Sequence, residues 1–390
     1  MPDTYAKHAE ELLMELLAIS GLSGQETDVM ACIVDHLRQA GASDDMLRFD
    51  TAHKRIPFGG AIGNLSLKLP GTLGGRRRML MAHTDTVPIC NGAKPVRKGK
   101  YVVPADKTTG LGADDRTGTA AILAAALYLL REKPDYPPVT FLWTVQEEIG
   151  LYGAQFANLA PLGKPKFAFN FDGGSTDKMA IGATGGYRMG IRIHGKASHA
   201  GAAPEKGVSA ITIAALAIAD LHQAGWLGKV EKPEGKGTSN VGVISGGQAT
   251  NVITPLVELR AEARSHDPAF RKKIIAAIET AFKNAAKAVK SSEGVVGKVE
   301  IEGRLDYESF RLPDDSPVVV AAEEAIKSLG GNPVRAITDG GLDANWITAR
   351  GIPTVTLGCG QENPHTPLER LDRGEFVKAC HIARYLAIGK

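Results

Sequence analysis

His83 and Asp85 interrupt an otherwise apolar run, 80-LMAHTDTVPI-89. Side chains two residues apart point to the same face of a strand, so an imidazole and a carboxylate would be neighbours there. Such a pair can serve as a general acid, form a lone hydrogen bond, or bind a metal. Thr84 and Thr86 fall on the opposite face and read as β-formers that close the strand before Pro88, not as nucleophiles.

Four further segments carry polar residues at comparable places. Asp114 and Asp115 precede a helix, Gln146, Glu147 and Glu148 follow an apolar strand, and Asp172 and His365 come after two more. Any one of these alone reads most simply as an ordinary loop residue. Together they deliver His, Asp, Glu, Asp and His from five segments, and in Asp114-Asp115 and Glu147-Glu148 like charges adjoin, which costs energy unless a cation compensates. Two imidazoles with three or more carboxylates are too acidic for a structural zinc cage, which favours thiolates, and suit two divalent cations bridged by one carboxylate. In that arrangement His83 binds a metal through one ring nitrogen while the other donates to Asp85, which fixes the tautomer and raises ligand basicity. Adjacent glutamates divide the work: Glu148 ligates, and Glu147 takes the proton from the attacking water and delivers it to the leaving amine.

The elements that must position these residues follow from periodicity. Helical spacing covers 5 to 20 and 25 to 40, β-rich segments lie near 61 to 69 and 78 to 84 with a hairpin or loop at Gly71 to Gly75, and a helix starts at Asp114. The stretches 138 to 145 and 167 to 171 are continuously apolar, as in a mostly parallel sheet flanked by helices. In such sheets ligands bind beyond the carboxyl ends of the strands, where the five segments end. From Thr184 the texture changes to alternating strands (187 to 195, 257 to 265, 297 to 307), a strand over 240 to 247 and helices over 209 to 225 and 270 to 289. This β, α, β, β, α, β order describes a smaller α+β unit, an antiparallel sheet with two helices. The expected fold class is therefore α/β, with catalytic-domain segments 1–183 and 309–390 and an inserted lid or dimerisation domain, 184–308. The first segment resumes with a helix over 316 to 329 and a strand over 353 to 357. Both crossings lie beside one sheet edge, so the insert can cover it.

Composition narrows the partners. The chain has 390 residues, 43% hydrophobic and 23% charged, with a net charge of +3, which gives no general attraction to polyanions. Arg76 to Arg78 have no interleaved aromatics and read as a solvated strand entry, so no nucleic-acid partner is expected. Cys32, Cys90, Cys359 and Cys380 form no CxxC pair and read as free thiols in a reducing compartment. The N-terminal stretch has acidic residues within its apolar periodicity, unlike a signal peptide, and the longest apolar run, Thr119 to Leu130, is too short to span a bilayer. The expectation is a cytoplasmic protein without membrane contact.

The segments 81-MAHTDTVP-88, 112-GADDRTG-118, 146-QEEIG-150, 171-FDGG-174, 195-GKASHAG-201, 250-TNVI-253 and 363-NPHTPLE-369 together resemble the dinuclear zinc peptidases of the M20 family. GADD, the Asp of FDGG and 337-ITDGG-341 are most similar to its tripeptide aminopeptidases, the peptidase T group. The resemblance covers nearly the whole chain. It implies two Zn2+, with Co2+ or Mn2+ possible in their place: His83, Asp114 and Asp172 on one, Asp114, Glu148 and His365 on the other, Asp114 bridging. It further implies a cis peptide between Asp114 and Asp115, a homodimer through the inserted domain, and His199 as the residue that stabilises the oxyanion or binds a substrate carboxylate. Asn251, after Gly246 and Gly247, reads as a second substrate contact, and Arg264 as a fork for a peptide's carboxylate, with a solvent-facing strand arginine as its plainer alternative.

The leading expectation is metal-dependent hydrolysis of short peptides, releasing the N-terminal residue of tripeptides or similar. Asp172, where many carboxypeptidase-like and deacylating relatives of that family carry Glu, favours the aminopeptidase side. The alternative is a deacylase or dipeptidase acting on N-acyl amino acids or small amide conjugates. A metal-stabilised binding protein is the non-enzymatic reading, and it leaves Glu147 without a task.

Overall fold

The structure, a computed structural model, describes residues 4–389; the outermost residues of the expected domain ranges, 1–3 and 390, lie outside it. The chain divides into two compact units, Met1–Ala183 with Arg311–Lys390, and Thr184–Phe310.

In the larger unit, the strand Arg78–His83 lies between Val139–Thr144 and Phe167–Phe171, with Thr354–Leu357 next beyond Phe167–Phe171. All four run parallel, with His83 opposite Thr144 and Leu357 opposite Phe171. Val139–Thr144 and Thr354–Leu357 are buried at every position, as strands covered on both faces must be. Met79 and Met81 join Ala154 and Ile347, from the short helices Tyr152–Phe156 and Asp343–Ala349, in one core cluster. The long helix Ala113–Glu132 also packs on Arg78–His83, and its Thr119 hydroxyl donates to the His83 carbonyl at 2.7 Å. Each fully buried Phe or Leu contributes roughly 1.5–3 kcal/mol, so this apolar core can support a sheet edge crowded with charge.

The sequence shows the parallel strands and leaves one neighbour open. Leu65–Leu69 does not pair with Arg78–His83 across the Gly71–Gly75 turn: it pairs antiparallel with Val139–Thr144, which inserts between them. Of the two forms expected for Gly71 to Gly75, the structure has the loop. The hairpin Pro95–Lys98 with Tyr101–Pro104, which also pairs with Arg370–Asp372, has strands of four residues each, too short for a period to show.

The smaller unit holds a five-stranded antiparallel sheet in the order Gly228–Lys232, Gly235–Gly246, Leu256–Ser265, Gly185–His194, Lys298–Tyr307, with helices Ala210–Gln223 and Pro268–Ala288. Met189, Ile191 and Ile193 alternate inward and pack with Ile213, Ile274 and Phe282 in its core. Ser209 caps the first helix by accepting from Thr212 N at 3.1 Å, and Asp267 caps the second by accepting from Ala269 N at 2.8 Å. The strand Gly228–Lys232 adds one to the expected order; it pairs only with the first five residues of Gly235–Gly246, a short Gly- and Lys-rich hairpin with little apolar alternation.

One glycine decides how closely helix and sheet approach. A Cβ on Gly118 would collide with the Phe171 carbonyl oxygen and lie 2.6 Å from both carboxylate oxygens of Asp115. Alanine in a helix interior normally stabilises relative to glycine by about 1 kcal/mol. Gly118→Ala is expected to invert that sign and cost roughly 1–3 kcal/mol, read as a lowered midpoint in thermal unfolding; an unchanged or raised midpoint would refute the close-approach account.

Candidate metal centre

Three of the four parallel strands hand their chains directly to polar residues. His83 ends its strand, Glu147 and Glu148 follow Val139–Thr144, and Asp172 follows Phe167–Phe171, its N–H donating to Leu357 O at 2.9 Å. The regular part of the long helix starts only after Asp114 and Asp115, whose backbones are non-helical and whose connecting peptide is cis, as the resemblance implied.

These residues meet. His83, Asp114 and Asp172 offer ligand atoms that all lie within 4.8 Å of one another, and so do Asp114, Glu148 and His365. Asp114 belongs to both groups: its Oδ1 is 3.1 Å from His83 Nε2 and its Oδ2 is 3.4 Å from His365 Nε2. His365 Nε2 also lies 2.9 Å from the Glu148 carboxylate. The Glu147 carboxylate makes no hydrogen bond among the described residues, although the residue is only 9% exposed.

Around this set, buried carboxylates spend their lone pairs on backbone N–H groups. Asp85 accepts from Glu147 N at 2.9 Å, from Glu148 N at 3.2 Å and from the Ser23 hydroxyl at 2.6 Å. His83 Nδ1 faces the Asp85 carbonyl at 3.2 Å and its carboxylate at 3.4 Å, so the backbone oxygen is the nearer partner. Asp115 accepts from Gly118 N and Gln361 Nε2, both at 3.0 Å, and from His83 N at 3.3 Å. Glu369 takes Leu111 N at 2.8 Å and Gly112 N at 2.9 Å on one oxygen and Asp114 N at 3.1 Å on the other. Glu26 accepts from Gln146 N at 3.1 Å, and Asp343 accepts from the Thr144 hydroxyl at 2.5 Å.

Ser23, Glu26, Asp343 and Gln361 are absent from the sequence reading. A loop carboxylate bonded to the backbone has the same residue type as one in solvent, so only burial tells them apart. Glu369 had a signal, since it closes the motif 363-NPHTPLE-369, but spacing gave it no role.

Electrostatics matches the geometry. Burial, then the nearby Asp114 charge, push the Asp172 carboxyl up to about 7, and burial likewise raises Glu148. Burial also raises Glu147, with Asp172 and Asp343 adding to it. Burial alone would lower His83, but Asp114 and Asp85 outweigh it and raise the imidazole well above its usual range. Hydrogen bonds with Asp114 and Glu148 raise His365 to about 10. Ring nitrogens thus face carboxylate oxygens in the places where cations could serve with more charge. Two imidazoles and three carboxylates sharing one central Asp are a donor set for two divalent ions, and the residues fit.

Such a centre, at the carboxyl edge of a mostly parallel sheet, is that of a metal-dependent hydrolase. The chain belongs to peptidase family M20/M25/M40, whose pattern matches residues 79–388. It is 33% identical over 377 residues to the uncharacterised protein YqjE of Bacillus subtilis, covering 96% of each chain. Its fold is similar to a tripeptidase from Staphylococcus aureus (SAV1512), with TM-score 0.86, 31% identity and 98% of each chain covered. It is also similar to the aminopeptidase PepT of Bacillus cereus, with TM-score 0.83, 32% identity and the same coverage. The expected recognition and fold class therefore stand: an M20 metallopeptidase with peptidase T relatives, and no helix among its described residues is long and apolar enough to cross a membrane.

In the smaller unit, His199 is exposed and its Nδ1 accepts from Gly201 N at 3.1 Å and Ala202 N at 3.0 Å, which puts the ring proton on Nε2. Asn251 is exposed, and its carbonyl accepts from Ala200 N at 2.9 Å, so it stands beside the His199 turn. Arg264 gives Nε and Nη2 to the Glu262 carboxylate, both at 3.0 Å, so its fork is engaged within its own strand.

If Glu369 holds the loop that presents Asp114, its loss should loosen metal binding. Glu369→Ala leaves three buried N–H groups unpaired and is expected to weaken metal affinity about 10–100-fold in a chelator competition. An unchanged affinity would show that the loop keeps its shape without it.

Proposed function

We propose that this chain is an aminopeptidase that releases the N-terminal residue from short peptides, tripeptides among them. The observation that carries the reading is the Glu147 carboxylate: almost buried, unpaired among the described residues, and held by its own N–H on the Asp85 carboxylate that also faces His83. The likeness to a tripeptidase and to an aminopeptidase PepT supports the substrate class.

In this reading His83, Asp114 and Asp172 hold one divalent cation and Asp114, Glu148 and His365 the other, zinc or in its place cobalt or manganese. Bound there, the ions supply Lewis acidity, which lowers the pKa of water from about 15.7 toward about 7. Glu147 accepts the proton of the attacking water and returns it to the departing amine. Its carboxylate suits this because no hydrogen bond ties it up. Asp85 orients two partners at once, His83 through the ring and Glu147 through the peptide N–H. His199, with its proton on Nε2, donates to a substrate oxygen, and Asn251 beside it supplies a second polar contact. Arg264 takes a peptide carboxylate only if Glu262 yields its place.

A homodimer through the smaller unit accompanies this reading. Asn240–Gly246 has one neighbour, Leu256–Ser265, and its other edge is unpaired among the described residues. Val243 and Ile244 on that strand and Ile211 and Leu216 on the helix Ala210–Gln223 are exposed apolar side chains. An unpaired edge of this kind accepts a second strand.

Glu147→Gln is expected to lower kcat by about 10²–10⁴ while both metals remain bound, measured by steady-state hydrolysis and metal analysis. Undiminished hydrolysis would sink the general-base assignment. Matched di-, tri- and N-acetylated peptides test the substrate class: blocked N-termini should turn over far more slowly than free ones, and comparable rates would favour a deacylase or dipeptidase. For the dimer, Ile244→Lys with Leu216→Asp should shift the sedimenting species from two chains to one; a wild-type chain that sediments as a monomer refutes it.

A further inference from the structure

Away from the acidic centre, one cluster joins three different ligand chemistries. Glu15 on the helix Thr4–Ala18 and Cys32 and His36 on the helix Thr27–Gln39 have ligand atoms within 4.8 Å of one another. Cys32 and His36 are four residues apart, so they share one helix face, and Glu15 reaches them from the neighbouring helix. Glu15 Oε1 is 3.6 Å from Cys32 Sγ and Glu15 Oε2 is 2.8 Å from His36 Nε2.

Tetrahedral zinc holds sulfur at about 2.3 Å and nitrogen or oxygen at about 2.0–2.1 Å, so its ligand atoms stand roughly 3.3–3.6 Å apart. The Glu15–Cys32 separation already has that value. The Glu15–His36 hydrogen bond must open by roughly half an ångström, which a half-exposed glutamate does by side-chain rotation. Glu15 is 52% exposed and His36 19%, so the cluster faces solvent and leaves room for a water as fourth ligand. Burial, Glu15 and Asp35 push the Cys32 thiol up to about 12 against the nearby Arg116, so the sulfur gives up its proton only in exchange for a cation. A thiol beside an imidazole selects against magnesium and calcium and suits zinc.

We propose that Glu15, Cys32 and His36 form a separate surface site for one zinc ion, clamping the helix Thr4–Ala18 to the helix Thr27–Gln39. As the sulfur ligates, its thiol proton passes to solvent, and the Glu15–His36 hydrogen bond is exchanged for two metal bonds. The site differs in chemistry from the acidic centre, none of whose five ligand candidates is a thiol. It stands whether or not that centre performs the reaction proposed above.

The difference makes the test direct. The metal-free full chain is titrated with Co2+ and followed by the near-ultraviolet thiolate-to-cobalt charge-transfer band. The expected result is one equivalent that carries this band beyond those bound by the acidic centre. Cys32→Ser should abolish the band and that one equivalent while peptide hydrolysis is kept, and His36→Ala should weaken the band-carrying equivalent at least about tenfold. Absence of the band in the wild-type chain overturns the proposal. So does a band that survives in Cys32→Ser, which would assign it to Cys90 or Cys359. Failure of the dinuclear reading looks different: the equivalents without a charge-transfer band would be missing while the band remained.

Discussion

Asp85 is the carboxylate on which the geometry of the centre turns. It has no exposure to solvent, and its oxygens accept from Ser23, Glu147 N and Glu148 N while facing His83. Burial pushes such a group up, yet the hydrogen bond and charge of His83 outweigh this and hold it below the usual carboxylate range. It therefore stays ionised and serves as a fixed acceptor. Through it, the turn carrying two glutamates is registered against the strand carrying the histidine, so that Glu147 and His83 cannot move independently.

Glu369 and Asp115 repeat the device on the other side. Glu369 ties the segment that carries His365 to the three N–H groups leading into Asp114, and Asp115 ties the start of the long helix to His83 N and Gln361. Each accepts from at least one backbone N–H, with Ser23, Gln361 and Cys90 side chains added, and so fixes chain position without using the candidate ligand atoms. Such partners orient the groups around which a metal would bind. The positioning carboxylates of Asp85, Asp115 and Glu369 are buried, as are the side chains of the candidate ligands His83 and Glu148, whereas His365 is half-exposed.

The sequence made one of these layers readable and showed only part of the other. The candidate ligands arrive as types rarely placed at the end of an apolar strand, His83 and Asp172 most plainly, and like charges adjoin in Asp114-Asp115 and Glu147-Glu148. Continuous apolar runs gave the parallel strands, and strict alternation gave most of the antiparallel ones. Of the positioning groups, Asp85 and Asp115 stand inside those same motifs, while the others leave no such mark. Glu26 and Glu369 occupy loop or cap positions where an acidic residue is ordinary, and their roles exist only through N–H groups far along the chain. The hairpin Pro95–Lys98 with Tyr101–Pro104 and the pairing of Leu65–Leu69 were hidden for a related reason, since strand neighbours are chosen by the fold and not by the local pattern.

Charge balance explains why the layers must be separate. Asp114, Glu148 and Asp172 crowd one edge, and burial first, then the charges of Asp114 and Glu148, push the Asp172 carboxyl up to about 7. Without cations, protons on His83 and His365 offset part of that repulsion; with them, the ligating carboxylates can all be ionised together. If those same carboxylates also held the backbone in place, each change in metal content would disturb the loops. Because Asp85, Asp115 and Glu369 hold the backbone, the loops can keep their shape when the charge at the centre changes, and the Glu147 backbone is fixed by its own N–H on Asp85.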